Sequence, residues 1–346
     1  MRGSKLAALA YSVPPNSLTH ESLQDRFGVE KMDRLAESTG IYNRRVCDAD
    51  TIASDLAFES AEKILSSGTI DRDSIDLLIV ATQMPDYLLP TTACILQDRL
   101  GLSKNCAAFD INLGCSQFVY AHSVAHSMIA AGVANRALVL TCDTPSKIID
   151  DQDMTVVPLF GDGATAAILE ADNTGAGYQD FILGTDGSEH EALIWPLSGM
   201  RRRKQLQNLL KNDHSTETLS HDIHMTMDGQ KIFLFTLQTV PKYIKDLLKR
   251  NDIEASDINF LALHQASGLI VSSVARKLKL EEQQYNRIYK DYGNSGGSTV
   301  GISLWHAIKD GLINPNSYIV MSAFGVGLSW ANALYRTGDS LPRLYE

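Results

Sequence analysis

The sequence predicts an α/β protein built from two similarly folded halves. Three observations carry that expectation. Short apolar runs of strand length alternate with longer segments of helical period. A stretch of the first half, Ile70-Asp71-Arg72-Asp73-Ser74-Ile75-Asp76 and the run after it, recurs as Ile253-Glu254-Ala255-Ser256-Asp257-Ile258-Asn259 and its run, 183 residues later. The chemically conspicuous side chains, Cys115, His264 and Asn294, fall at the ends of such runs or where a helix begins.

In chain order, residues 6–13, LAALAYSV, read as an opening strand. They follow Arg2 and Lys5, but the run is too short and lacks the small-residue cleavage site of a signal peptide, and it ends in Pro14-Pro15. Residues 17–39 carry helical periodicity and lead into the turn and basic, strand-like segment STGIYNRRV. Ile52, Leu56, Ala57, Ala61, Ile64 and Leu65 mark one face of a helix over 50–67 that Gly68 stops. The run 75–81 then reads as a strand buried on both faces. Pro85 and Pro90 bracket a loop before a helix over 91–100.

Residues 110–132, DINLGCSQFVYAHSVAHSMIAAG, are the centre of the reading. Gly114 supplies a turn, Cys115 stands where a helix begins, and Phe118, Val119, Ala125, Met128 and Ile129 recur at helical spacing up to Gly132. A thiol at that point faces the positive end of a helix, which favours thiolate. Taken alone, a free cysteine is equally a small core residue. A buried strand follows at 137–141, then FGDGATAAILE (160–170), a Gly-rich turn entering a strand. Residues 185–225 form the least regular stretch, with RRRK at 201–204 read as a solvated charged loop or a dock for an acidic partner.

The second half repeats the first. A helix over 230–250 precedes the strand Phe260-Leu261-Ala262-Leu263, and His264 follows it where the first half has Ala81. Gly293-Asn294-Ser295 answers Gly114-Cys115-Ser116 at a spacing of 179, and the same spacing carries Gly132 onto Gly311, so the two helices are expected to be equally long. One long repeat implies two α/β halves rather than a solenoid, with boundaries placed at 1–172 and 173–346. It puts Cys115 and Asn294 at the same structural point, where open α/β sheets hold their ligands.

Composition limits the function. A chain of 346 residues, 44% apolar and 21% charged, is an ordinary globular protein with a large core. A formal charge of −10 argues against nucleic acid as a partner. Five scattered cysteines without a CxxC pair fit a reducing compartment, and no acidic or Cys cluster joins His221 and His224, so no metal is expected. No apolar run reaches the ~20 residues of a membrane span; the expected location is cytoplasmic.

Cys115, His264 and Asn294 together suit thiol chemistry: a nucleophile, an imidazole to stabilise its thiolate, and an amide to hold or supplement that imidazole. The segments STGIYNRR, IDLLIVATQMPDYLLPTTACILQDRLG, DINLGCSQFVY, FGDGATAAILE, ALHQAS, YGNSGGSTVGISL and SAFGVGLSWANALYR, in this order, resemble the β-ketoacyl-acyl carrier protein synthase III family of the thiolase fold over nearly the whole chain. That resemblance implies a five-layer α-β-α-β-α arrangement. It implies an acyl thioester on Cys115 and a decarboxylating malonyl-carrier thioester activated by His264 and Asn294, with no cofactor beyond the thioesters. The Cys115 and Val326 amides would form the oxyanion hole, Val326 standing where Gly is usual, and Phe160 and Phe324 would flank the nucleophile and acyl pocket. The turns at 161–163 and 325–327 would be packing and oxyanion turns, since neither continues as GxGxxG or ends in GK[ST].

The sequence departs from the family at several positions. Arg34 and Met154 replace the Trp and Arg that clamp coenzyme A adenine, and Ser38 replaces an Arg beside the TGI motif. Leu89 replaces a bulky pocket Phe, which implies a longer acyl chain. Leu269 replaces a carrier-docking Arg and Ser267 the Asn of HQAN, while Arg276 and Lys277 match basic positions suited to an acidic carrier protein. The resemblance also implies a homodimer that shares the loop around Leu89. The leading reading is a decarboxylating condensation of a medium or long acyl thioester in specialised lipid or polyketide metabolism. Acyl transfer to a small-molecule hydroxyl or amine is the alternative, and a non-catalytic partner subunit is a third reading.

Overall fold

The computed structural model describes residues 2–211 and 223–346; His221 lies outside them. The first half runs β1 (Gly3–Ser12), β2 (Ser17–Thr19), α1 (His20–Phe27), α2 (Val29–Thr39), β3 (Asn43–Arg45), α3 (Ala53–Leu65), β4 (Leu77–Ala81), α4 (Thr92–Arg99), β5 (Ala107–Ile111), α5 (Gln117–Ala130), β6 (Arg136–Asp143) and β7 (Gly163–Asp172). Then come β8 (Gly177–Thr185), β9 (Leu193–Ile194), α6 (Arg203–Lys211), β10 (Thr226–Met227), α7 (Gly229–Arg250), β11 (Ile258–Leu263), α8 (Gly268–Leu278), α9 (Tyr289–Tyr292), α10 (Ser298–Lys309), β12 (Tyr318–Gly325), β13 (Ser329–Arg336) and β14 (Arg343–Tyr345).

Two sheets organise the molecule. One has the order β14-β1-β7-β6-β4-β5, the other β11-β12-β13-β8. From β4, the first sheet pairs parallel to β6, antiparallel to β7 and antiparallel to β1. From β11, the second pairs parallel to β12, then antiparallel to β13 and β8. The two sheets therefore repeat one topology, with β5 and β14 added at the edges of the first.

The strand runs are uninterrupted because both faces are buried. In β4, Leu77, Ile79 and Ala81 join the central core, whereas Leu78 and Val80 pack on the other face beneath α3 and α4. In β11, Phe260 and Ala262 face the same central core, and Leu261 and Leu263 meet α7 and α8. Helices α5 and α10 fill the space between the sheets through Phe118, Val119, Ile129, Val300, Leu304 and Trp305. The layers thus run α3/α4, sheet, α5/α10, sheet, α7/α8. Truncating Phe118, which is fully buried, should cost about 3–5 kcal/mol.

Three expectations need correction. The periodic segment 17–39 is broken by Gly28, whose φ of 97° separates α1 from α2. Arg203 and Lys204 start α6 instead of lying in a loop, because Leu206, Leu209 and Leu210 carry a helical spacing. The paired central helices are unequal: α5 has 14 residues and α10 has 12. Their C-terminal ends do correspond, with Gly132 and Gly311 at φ of 77° and 72°, but Gly296 at φ 61° delays the start of α10.

Candidate active site

Cys115 sits between β5 and α5, and regular helix begins two residues after it, at Gln117. This corrects its placement in the first turn. The Gln117 N–H donates to the Gly114 carbonyl at 2.8 Å, closing a turn against which two side chains pack. A β-carbon on Gly114 would lie 2.2 Å from Gln83 Oε1 and 2.4 Å from Val326 Cγ1. Ser116, at the helix N-cap, does not cap α5; its hydroxyl pairs with that of Ser329 at 2.7 Å, tying the nucleophile's turn to β13.

Cys115 is 7% exposed. Burial pushes its thiol up to about 11; the Val326 and Cys115 backbone N–H groups, both directed at the sulfur, oppose that, and the charge of Asp143 adds to it. The expectation that the helix start alone would favour thiolate therefore fails, because the thiol lies ahead of the helix and is desolvated. The two amides expected to form an oxyanion hole do converge on this atom.

His264 follows β11, and its backbone N–H donates to the Ser322 carbonyl at 2.8 Å, which fixes it to β12. Its Nδ1 is 2.6 Å from Thr299 Oγ1, on the first turn of α10. The same hydroxyl accepts from the Gln265 N–H at 3.2 Å and donates to the Gly296 carbonyl at 3.0 Å. Phe324 stands edge-on to the imidazole, with ring centroids 5.3 Å apart and planes at 85°. Burial holds the imidazole down to about 3, against the Gly296 carbonyl, which favours the proton. Both shifts favour the neutral thiol and the neutral imidazole over an ion pair.

Asn294 is clamped through its backbone: its N–H donates to the Leu159 carbonyl at 2.8 Å, and its own carbonyl accepts from Gly161 at 3.0 Å. Its Oδ1 accepts from the Gly296 N–H at 3.1 Å, which leaves the NH2 end as the donor for a ligand.

Two cavities meet at Cys115. One, of about 120 Å3, is lined by Cys115, His264, Asn294, Phe160, Phe324 and Gly325. The other, of about 370 Å3, is lined by Cys115, Val326 and Phe160 together with Ile148, Trp195 and Met225. The structure therefore brings together Cys115, His264, Asn294, Val326, Phe160 and Phe324. A further cavity, of about 680 Å3, lies along β1 and β14 and contains none of these residues.

Leu89 is not brought in. It is 83% exposed beside Tyr87 and Leu88, which are 62% and 66% exposed, and lines neither cavity. Arg276 and Lys277 are exposed on the last turn of α8, where Lys277 Nζ donates to the Leu237 carbonyl at 2.9 Å. Arg34 pairs with Glu30 on the surface of α2. Ser38 donates to the Leu35 carbonyl, and Met154 is 36% exposed. Ser267 caps α8 by accepting from the Ile270 N–H, and Leu269 is 47% exposed.

Sequence reasoning missed Thr299, Gly325 and Asp143. Gly325 was visible only as part of a Gly-rich turn; its need for glycine comes from Cys115, whose sulfur a β-carbon there would meet at 2.6 Å. Asp143 closes the strand read at 137–141 and lines the larger cavity; a lone acid at the end of an apolar run was the available signal. Among the described residues no group of three or more His, Cys, Asp or Glu side chains could hold a metal ion.

Comparison with known proteins places this geometry in a family context. Residues 109–187 match the profile described as 3-oxoacyl-[acyl-carrier-protein (ACP)] synthase III, and residues 248–337 match its C-terminal counterpart. The chain is 34% identical to a β-ketoacyl-[acyl-carrier-protein] synthase III of Caldanaerobacter subterraneus over 91% of this chain and 94% of that one. It is 31% identical to the protein of that name from Fusobacterium nucleatum, over 97% and 99%. A crystal structure of a 3-oxoacyl-(acyl-carrier protein) synthase from Burkholderia xenovorans superimposes with a TM-score of 0.89 at 32% identity, covering 100% of this chain and 98% of that one.

Proposed function

Because the chain belongs to the 3-oxoacyl-[acyl-carrier-protein] synthase III family, a family of thiolase-fold condensing enzymes, we propose that it joins an acyl thioester to a malonyl-carrier thioester through an acyl-cysteine at Cys115. The observation that carries this reading is that two separate sets of donors stand at one thiol. The Val326 and Cys115 amides are directed at its sulfur, and His264 and Asn294 line a cavity together with Cys115.

Each half-reaction then has its own donors. The Cys115 sulfur attacks the acyl carbonyl, whose developing oxyanion the two amides receive, and the thiol proton leaves on the departing carrier or coenzyme A thiol. The malonyl thioester enters the cavity of His264 and Asn294. Loss of CO2 leaves an enolate whose oxygen accepts from Asn294 Nδ2 and from His264 Nε2. For His264 to donate there, its Nδ1 must accept the single Thr299 hydroxyl proton, so that hydroxyl must turn from the Gly296 carbonyl at 3.0 Å to Nδ1 at 2.6 Å. The enolate carbon attacks the acyl-cysteine carbonyl, the same amides hold the second oxyanion, and the cysteine leaves as thiolate and takes up a proton.

The acyl group occupies the larger cavity, since the smaller one must hold the malonyl thioester. Its apolar wall of Ile148, Trp195 and Met225 suits a medium or longer chain, delivered on coenzyme A or a carrier protein whose acidic surface meets Arg276 and Lys277. The absent adenine clamp at Arg34 and Met154 favours a carrier-bound donor and a role in specialised lipid or polyketide metabolism. A second copy of the chain, seated on the Tyr87–Leu89 loop, would complete the acyl pocket as a homodimer.

The test is to supply an acyl-coenzyme A and acyl-carrier series with malonyl-carrier and to analyse the products. A β-ketoacyl-carrier formed with equimolar CO2 supports condensation. An acyl-enzyme that discharges to small-molecule alcohols or amines without CO2 release supports the transfer reading instead. No acyl-enzyme with any donor sinks both.

A further inference from the structure

Asp143 is a carboxylate at the end of β6, 3% exposed and held by neutral donors. Its Oδ1 accepts from the Gln83 N–H at 3.0 Å and the Thr82 hydroxyl at 3.2 Å, and its Oδ2 accepts from Gln117 Nε2 at 2.8 Å. The Gly297 N–H also donates to it. Gln117 is two residues beyond Cys115, and Gly297 is three beyond Asn294. One carboxylate therefore joins the turn that carries the nucleophile to the turn that carries the amide.

The fit between these turns is close. A β-carbon on Gly296 would lie 2.7 Å from Asp143 Oδ2, and one on Gly297 would lie 2.1 Å from Gln117 Cγ. The 294–297 turn thus rests directly on the Asp143–Gln117 contact. Among the described residues no Lys, Arg or His forms an ion pair with Asp143. Removing a carboxylate from water without a countercharge is costly, so convergent donors are required to hold it there. An acceptor-only side chain is the one suited to this point, because every neighbour presents a donor.

We propose that Asp143 is a positioning residue that locks the Cys115 turn and the Asn294 turn into one register, so that acyl-cysteine and enolate meet at bonding distance. This rests on the condensing reading of the site. Misplacement of reacting groups by about 1 Å costs on the order of 100-fold in rate, and the Asp143 contacts join the two turns directly.

The ionisable groups around Asp143 are Cys115 and Cys142, with Asp86 and Asp110 acting further along the same sheet end. Burial raises Asp143 to about 7 and its donors oppose that, so it is about half charged at neutral pH and mostly charged above it, and its charge raises Cys115. Two variants separate positioning from general loosening. Asp143→Asn removes the charge and sets an NH2 group against donors; Gln117→Met keeps the charge and breaks the link to α5.

The experiment measures condensation kinetics and the pH dependence of Cys115 alkylation by iodoacetamide in the full chain. Both variants should lose at least about tenfold in kcat with the KM for malonyl-carrier held within about twofold. The alkylation inflection should move to lower pH in Asp143→Asn and should not in Gln117→Met. Unchanged kcat in either variant, or inflections that move together, would overturn the proposal. If Asp143→Asn does not fold, kcat of Gln117→Met decides. If the wild type releases no CO2 with any donor pair, the condensing reading fails, and the divergence of the two alkylation inflections still decides whether Asp143 governs the Cys115 turn.

Discussion

The backbone of Gly325 passes so close to the Cys115 thiol that a β-carbon there would lie 2.6 Å from the sulfur and 2.7 Å from the cysteine β-carbon. Gly325 also has φ of 152°, a conformation other residues rarely adopt. Gly325→Ala must therefore shift either the thiol or the Val326 amide that follows. Acylation of Cys115, followed by intact mass, should slow by about 100-fold or more. A rate within about threefold of wild type would show that the turn yields without disturbing the thiol.

Two buried histidines should make the fold sensitive to acid. Burial holds His264 near 3 and His122 near 4, below their ordinary value of about 6.5. Above that value both are neutral folded and unfolded, and their contribution is intact. As pH falls from 6.5 towards 3, the unfolded chain takes protons that the folded chain refuses, so stability declines across that window. The denaturant midpoint should fall between about pH 6.5 and 5, less steeply in His122→Leu than in wild type. Equal slopes would contradict the assignment of His122.

Arg44 should be a stability hub that also supports the site. It is 1% exposed and donates to the backbone carbonyls of Pro158 at 2.6 Å, Leu18 at 3.2 Å and Ile41 at 3.3 Å. Leu159, next to Pro158, accepts the Asn294 N–H. Arg44→Met leaves those carbonyls without their donor and should cost about 2–4 kcal/mol in urea unfolding. A loss below about 0.5 kcal/mol would show that water replaces the guanidinium.

The exposed Tyr87, Leu88 and Leu89 should be covered by a second copy of the chain. Light scattering should give twice the 37.9 kDa of one chain, and Leu89→Asp should shift the protein towards monomer and lower acyl-chain turnover. A monomeric wild type would remove Leu89 from the account.

The fold was legible wherever burial was two-sided. The runs at β4 and β11 are continuous because each strand faces a core on either side, and the spacing of 183 that links them carries the 3-10 turn Arg72–Ser74 onto Ala255–Asp257. The repeat was less exact at the helices that matter for chemistry. Cys115 and Asn294 correspond in sequence, but Gly296 adds a turn before α10, so Asn294 is held by Leu159 and Gly161 instead of by a helix start.

What the sequence hid depends on side chains from distant segments. The thiol's environment is set by burial and by the Val326 amide, which no local pattern around Cys115 reveals. Asp143 reads as a strand terminus until Gln83, Gln117 and Gly297 are seen to converge on it. The family resemblance implies a pocket position for Leu89, and a single chain leaves it in solvent.

The central claim is that Cys115 carries the acyl group and that His264 and Asn294 act on the malonyl half alone. The most direct measurement is intact mass of wild type, Cys115→Ala, His264→Ala and Asn294→Asp with an acyl donor, before and after malonyl-carrier is added. The account predicts an acyl adduct in all but Cys115→Ala, discharged with CO2 release in wild type and retained in the His264 and Asn294 variants. An adduct that persists in Cys115→Ala, or one discharged with CO2 release in His264→Ala as fast as in wild type, would contradict it.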